Sequence, residues 1–204
     1  MVEFIVRARA APTDADQFLA AIGAGQGIEY LAAILTNGLF VSKGHRRDAS
    51  VSLVLEKSAD FSRVLTFSGE DLGSLENLHE RALLGVIADA LRVARDLTKE
   101  ATAVDARGIG IRLVSFERLV KEKAMNQAVF LLDQNGEDVR TADIPANAVF
   151  VMTDHTPMPK NTYSSMARQG VRRLSLGPIV LHASQCITLV HDELDRRQAL
   201  SRRL

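Results

Sequence analysis

The sequence predicts an α/β protein, and two observations carry that reading. After Ala101 strand-like and helix-like segments alternate, as they do where helices return the chain between parallel strands. Two of those strands, Val129-Phe130-Leu131-Leu132 and Ala148 to Met152, are apolar at every position, which suits strands covered by helices on both faces.

The elements follow in order. Val2 to Arg9 sets Val2, Phe4 and Val6 against Glu3, Ile5 and Arg7 and reads as a strand. Pro12 follows it, and Thr13 to Ile22 reads as a short helix capped by Thr13 or Asp14. Gly23, Gly25 and Gly27 break that helix. Ile28 to Phe40 carries Ile28, Leu31, Ile34, Leu35 and Leu39 at helical spacing, and Lys43-Gly44 ends it. Val51 to Leu55 and Val64 to Phe67 are strands between Ser-rich and acidic turns. The strongest helical stripe runs from Leu75 to Lys99 through Leu78, Leu83, Leu84, Ile87, Leu91, Ala94 and Leu97. Gly110 to Val114, Phe116 to Met125, Ala128 to Leu132, Ala148 to Met152, Ser164 to Gln169, Val171 to Leu176 and Ser184 to Leu200 then alternate strand and helix. No Pro/Gly/Ser linker marks a boundary near residue 100, so residues 1–204 are expected to form one unit.

Composition removes several classes. With 204 residues, 47% hydrophobic and 25% charged, the chain can bury a core without disulfide or metal staples, and it is neither disordered nor collagenous. Ala148 to Met152 and Ile187 to Val190, the longest apolar runs, fall far short of the ~20 residues that span a bilayer. Glu3, Arg7 and Arg9 leave no room for a signal core at the start, so secretion is not expected. The lone Cys186 suits a reducing, cytoplasmic compartment.

Lys and Arg number 25 and Asp and Glu 25, so net charge predicts no polyanion partner by itself. The charges are unevenly spread, however. Glu56 to Glu80 holds six acids against Lys57 and Arg63, whereas Thr156 to His191 holds none and carries Lys160, Arg168, Arg172 and Arg173. Arg7, Arg9, His45, Arg46 and Arg47 make a second basic group, and Arg196-Arg197 with Arg202-Arg203 an Arg-rich tail.

In an open parallel sheet, ligands collect beyond the carboxyl ends of the strands. Three polar segments occupy such places: Asp133 to Asp138 after Leu132, Thr153-Asp154-His155 after Met152, and Gly177-Pro178 after Leu176. Each is also an ordinary turn, cap or strand stop. Gly23-Ala24-Gly25-Gln26-Gly27 follows a helix and not a strand, which argues against a dinucleotide loop. No phosphate loop, zinc motif or Gly-x-Ser-x-Gly elbow is present, so no metal site is expected. His182 and Cys186 stand four apart, and with Asp154 they define a cysteine-enzyme alternative. A lone Cys is more often a small buried hydrophobe.

Thr153-Asp154-His155 and the run Ser175 to Thr188 (SLGPIVLHASQCIT) resemble the tRNA pseudouridine N1-methyltransferase family of the SPOUT superfamily. The resemblance extends to Glu3-Phe4-Ile5, Arg46-Arg47-Asp48, the Asn135 to Asp138 segment, and Asp192, Leu194 and Asp195 near the C-terminus. It implies a SPOUT-type α/β knot, with a mostly parallel central sheet flanked by helices and a C-terminal trefoil knot, the exception to unknotted topology. It also implies a homodimer and S-adenosylmethionine held by Leu132, Thr153, Leu176, Gly177, Leu181 and Cys186. The implied activity is methylation of N1 of pseudouridine in the T-loop of tRNA. Other RNAs such as rRNA, or a non-catalytic RNA-binding dimer, are the alternatives. Two positions depart from the archaeal pattern: Thr153 stands in place of Gly and Asp192 in place of Asn. Because N1–H of pseudouridine must lose its proton, Asp138 and Asp154 are the candidate catalytic carboxylates, and Arg7, Arg46 and Arg47 the candidate RNA contacts.

Overall fold

A computed structural model describes residues 1–58 and 60–201. Arg202 and Arg203 of the basic tail lie outside the described residues. The elements are β1 (Val2–Pro12), α1 (Ala15–Ala21), α2 (Tyr30–Leu39), β2 (Phe40–Val41), β3 (Gly44–His45), β4 (Ala49–Lys57), β5 (Arg63–Ser68), α3 (Glu80–Val93), β6 (Thr102–Val104), β7 (Gly110–Arg112), α4 (Phe116–Ala124), β8 (Val129–Asp138), β9 (Val149–Thr153), α5 (Lys160–Arg168), β10 (Arg172–Ser175) and α6 (Ala183–Ser201).

Eight strands form one sheet in the order β10-β8-β9-β1-β4-β5-β7-β6. The first five run parallel, and β5, β7 and β6 continue the sheet antiparallel. The α/β class and the mostly parallel sheet agree with the sequence reading. β5 and β7 fall where strands were expected, with an antiparallel direction the sequence did not indicate, whereas β2, β3 and β6 were not expected, because these strands are only two or three residues long.

Period-two alternation in β1 decides where the core divides. Phe4 and Val6 face one side with α1, α2, α3 and α6, while Ile5 faces the other with α4 and α5. On the first side Phe4, Phe150 and Phe130 stand opposite one another on β1, β9 and β8, with adjacent ring centroids 5.7 Å apart. Removing the central ring would cost about 3–5 kcal/mol.

Two sequence expectations need correction. The helix foreseen from Leu75 to Lys99 is only Glu80–Val93, since His79 Nδ1 accepts from Ala82 N–H and caps it there, leaving Leu78 exposed. The Asn135-Gly136 turn is instead an excursion within β8. Pairing to β10 breaks after Leu131 and resumes at Glu137 opposite Leu174. The returning chain presses so close that a Cβ on Gly136 would lie 2.4 Å from the Leu174 nitrogen, which only glycine tolerates.

The C-terminal segment positions the site. β10 is an edge strand, yet α6 lies over the middle of the sheet against α2, where Asn37 Nδ2 donates to Ser184 O (3.2 Å) and His191 Nε2 lies 3.0 Å from Gly38 O. The chain between them, Leu176 to His182, therefore crosses the ends of β8 and β9. Arg197, further along α6, donates to the carbonyls of Val139 and Ala142 in the β8–β9 connection.

Candidate functional site

Parallel strands end together, so the loops after β8, β9 and β10 converge on one edge of the sheet. Two adjoining cavities open there. The smaller, of about 100 Å³, is enclosed by Leu132, Asp133 and Gln134 from the β8 excursion, by Leu174, Leu176, Gly177, Ile179, Val180 and Leu181, and by Cys186 of α6. The larger, of about 490 Å³, lies between Gly27 and Tyr30 on one side, Thr153, Asp154 and His155 on another, and Val180 to Ser184 on the third. Val180 and Leu181 belong to both, so the crossing segment is a shared wall.

Of the residues singled out from the sequence, Leu132, Leu176, Gly177, Leu181 and Cys186 meet in the smaller cavity, and Thr153 and Asp154 line the larger one. Gly177 N–H donates to Ser175 Oγ (3.2 Å), which turns the chain off β10. Burial pushes the Cys186 thiol up from its ordinary value, so it is a protonated wall group and a poor nucleophile. His182 is exposed, and among the described residues no hydrogen bond joins its ring to Cys186; a Cys186–His182–Asp154 relay does not assemble.

The Thr153 hydroxyl donates to Thr156 O (3.0 Å), turning inward into its own loop. Asp154 Oδ1 accepts from Thr156 N–H (2.8 Å), and its Oδ2 accepts from Ala10 N–H and the Tyr30 hydroxyl, both at 3.4 Å. Its carboxylate thus fastens the loop after β9 to β1 and α2. Asp138 lies outside both cavities, is exposed, and accepts from Arg140 N–H (2.9 Å) to start a turn.

The basic residues separate sharply. Arg7 is 7% exposed, pairs with Glu56 and Glu117 (2.9 Å each), and stacks on Phe116 at 4.5 Å. A phosphate cannot reach it, so Arg7 is corrected from an RNA contact to a buried structural cation. Its Nη1 donates to Thr162 Oγ1 (3.2 Å) while its own carbonyl accepts from Asp154 N–H (3.0 Å), so it holds both ends of the loop after β9. Arg46 pairs with Asp195 of α6, holding that carboxyl below its usual range, beside a cavity of about 430 Å³ at the start of β1. Arg47 is exposed and makes no ion pair among the described residues.

Sequence reasoning marked the segments that hold Asp133, Gln134 and His155 without giving those three a role, and passed over Tyr30. Asp133 and Gln134 directly follow a buried strand, the same signal that selected Thr153, and Asp133 is largely buried beside Arg173 (3.7 Å). Tyr30 carries no local signal, because only the tertiary fold brings α2 to β9. Among the described residues there is no group of three metal-ligating side chains, and no helix is long and apolar enough to cross a membrane.

A family model described as "Putative SAM-dependent RNA methyltransferase" matches residues 1–199. A relative from Shewanella frigidimarina (strain NCIMB 400), named "Putative pseudouridine methyltransferase", is 46% identical over 197 residues, covering 97% of this chain and 100% of its own. One of the same name from Vibrio atlanticus (strain LGP32) is 42% identical over 197 residues, covering 97% and 99%. Among solved structures, Archaeoglobus fulgidus Nep1 bound to S-adenosylhomocysteine has the same fold, with a TM-score of 0.58 over 97% of this chain and 99% of that one at 12% identity.

Proposed function

Because the chain belongs to the SAM-dependent RNA methyltransferase family, as the sequence resemblance implied, we propose that it transfers the donor's methyl group to N1 of pseudouridine in an RNA, the S–CH3 bond breaking as N1–CH3 forms and the N1 proton passing to solvent water, and that this RNA is tRNA. The observation that supports this reading is the convergence of the β8, β9 and β10 loops on two cavities with a common wall. One compartment suits a donor and its neighbour an acceptor.

The lining of the smaller cavity suits the adenosine end of the donor, and its volume of about 100 Å³ leaves the rest of that molecule to the adjoining compartment. Leu132, Leu176, Ile179 and Leu181 offer an apolar slot for a planar base, and Asp133 and Gln134 offer polar groups for ribose hydroxyls. Bound there, S-adenosylmethionine supplies an electrophilic methyl group on a sulfonium. What the chain contributes is alignment: Leu181 separates the compartments, and the Asp154 and Arg7 contacts hold the loop after β9 in place. Asp154 lines the acceptor compartment, and we assign it to orienting that wall, since three donors already engage it, Thr156 N–H at 2.8 Å and Ala10 N–H and the Tyr30 hydroxyl at 3.4 Å.

We also propose that Leu176 to His182 and α6 thread a trefoil knot. Support comes from the crossing of β8 and β9 and from the Arg197 contacts that bracket α6 beneath the β8–β9 connection. A homodimer is supported by Ile179 and Val180, apolar side chains 70% and 81% exposed beside the cavities. Arg47, exposed and in no ion pair among the described residues, is the proposed RNA contact that remains, Arg46 being engaged by Asp195, and an RNA acceptor together with the unpaired Cys186 suits the cytoplasm.

The test is incubation of the protein with S-adenosylmethionine and a pseudouridine-containing tRNA, followed by nucleoside mass spectrometry. Formation of N1-methylpseudouridine is expected. Donor binding without that product, on tRNA and on rRNA fragments, would overturn the acceptor assignment.

A further inference from the structure

The larger cavity has an aromatic corner to which the donor assignment above gives no role. Tyr30, at the first turn of α2, and His155, after β9, meet at 86° with ring centroids 6.3 Å apart, so their planes form two walls at a right angle. The Tyr30 hydroxyl is held by Asp154 Oδ2 (3.4 Å), and Asp154 is itself pinned by the backbone of Thr156 and Ala10. Burial and the Asp154 charge both raise the Tyr30 phenol above its ordinary range, so it stays a neutral ring with a donor on its tip.

The rim of this corner accounts for a motif the sequence left unexplained. Gly23, Gly25 and Gly27 all have left-handed backbone, with φ of +73°, +74° and +64°, and Gly27 lines the cavity. Nothing lies within 4 Å of where their Cβ atoms would be, so glycine is needed for conformation and not for space. Glu29 Oε1 accepts from Gly23 N–H (2.7 Å) and Lys57 Nζ donates to Gln26 Oε1 (2.8 Å), closing the loop at both ends. The result is a fixed, side-chain-poor lip beside the corner.

We propose that the target nucleobase, turned out of the RNA, enters past this lip and stacks against Tyr30, with His155 closing the second side. The assignment rests on the methyltransferase reading above and adds the residue that receives the acceptor. An unstacked base recognised by protein characteristically lies against an aromatic face. The cavity, at about 490 Å³, has room for a nucleoside, and its wall at Val180 and Leu181 is the one shared with the donor compartment. The smaller compartment offers no aromatic side chain.

The chain has two tyrosines and no tryptophan, which makes Tyr30 directly observable. In a Tyr163→Phe protein all tyrosine emission comes from Tyr30, and Tyr163 lines neither cavity. Saturation with a short pseudouridine-containing oligoribonucleotide, in the presence of S-adenosylhomocysteine and corrected for RNA absorbance, should quench most of that emission. Tyr30→Leu, checked for folding by circular dichroism, should raise the KM for RNA about 10- to 100-fold while changing S-adenosylhomocysteine affinity less than about threefold; Tyr30→Phe should fall between it and wild type. Unchanged emission at saturation, or wild-type kcat/KM in Tyr30→Leu, would overturn the assignment while the methyltransferase reading stands. Quenching by S-adenosylhomocysteine alone would give the corner to the donor's adenine and overturn it too. A wild-type protein that binds the donor but methylates no pseudouridine would remove the reading and the assignment together.

Discussion

The two halves of the sheet, built from the same kinds of residues, do different work. Strands β8, β9, β1 and β10 run parallel, so their carboxyl ends and the loops after three of them gather at one edge around two cavities. Strands β5, β7 and β6 run antiparallel, so successive connections leave from opposite edges. A depression near Phe61 on that side is lined by Arg118 and Glu100, which pair with each other. Strand direction, more than composition, decides where polar side chains can accumulate around a ligand.

The sharpest way to break this contrast is to remove one arginine from each half. Arg7→Met leaves Glu56 and Glu117 without their buried partner and should cost about 3–5 kcal/mol of stability in urea unfolding. Arg112→Met, which loses a half-exposed pair with Glu122 at 2.9 Å, should cost under about 1 kcal/mol. Equal losses would mean that Arg7 does not clasp the loop after β9.

A second pair concerns glycine. Gly136→Ala drives a Cβ into the backbone of β10 and should cost about 1–3 kcal/mol and weaken S-adenosylhomocysteine binding, because the β8 excursion walls the smaller cavity. In Gly110→Ala the new Cβ meets Thr66 at an ordinary 3.7 Å and should change stability by less than about 0.5 kcal/mol, with binding untouched.

The pH dependence of stability isolates the α6–α2 contact over the parallel half. Burial, then the Arg46 charge, lowers the His191 pKa below its ordinary 6.5, with Asp195 and Asp48 facing it in partial opposition. The neutral ring donates Nε2–H to Gly38 O and packs edge-on to Phe4. Since the unfolded chain takes up this proton first, the contribution is full above pH 6.5 and fades as pH falls toward the depressed folded value. Melting temperature should drop over that window in the wild type and follow a flatter course in His191→Gln.

The smallest effect is expected on RNA affinity. Arg47→Ala should weaken binding about two- to threefold and lower the salt slope by about one. Arg92→Ala, on α3 and already paired with Asp89, should leave both unchanged.

How much of this was legible in the sequence follows from range. Buried strands announced themselves: Val149 to Met152 is apolar throughout and is buried throughout. The residues after β8, β9 and β10 could be selected because strand ends are local features. Leu132, Leu176, Gly177, Leu181 and Cys186 do meet in space, and the family is the one resembled. Burial of a charged side chain was not legible. Arg7 looks like a surface cation until Glu117, 110 positions away, is seen beside it. Tyr30 likewise needed the contact between α2 and the loop after β9. Asp138 falls outside the cavities for the opposite reason: its neighbours in sequence promised a site, and the excursion carried Asp133 into the cavity instead.

The most direct measurement is calorimetric titration of the protein and of a Leu181→Asp variant with S-adenosylhomocysteine. Saturable heat at one ligand per chain in the wild type, lost in a folded variant whose shared wall now carries a charge, is the result expected. Absence of heat in the wild type, or equal affinity in both, would contradict a donor site at the crossing of the C-terminal segment over β8 and β9.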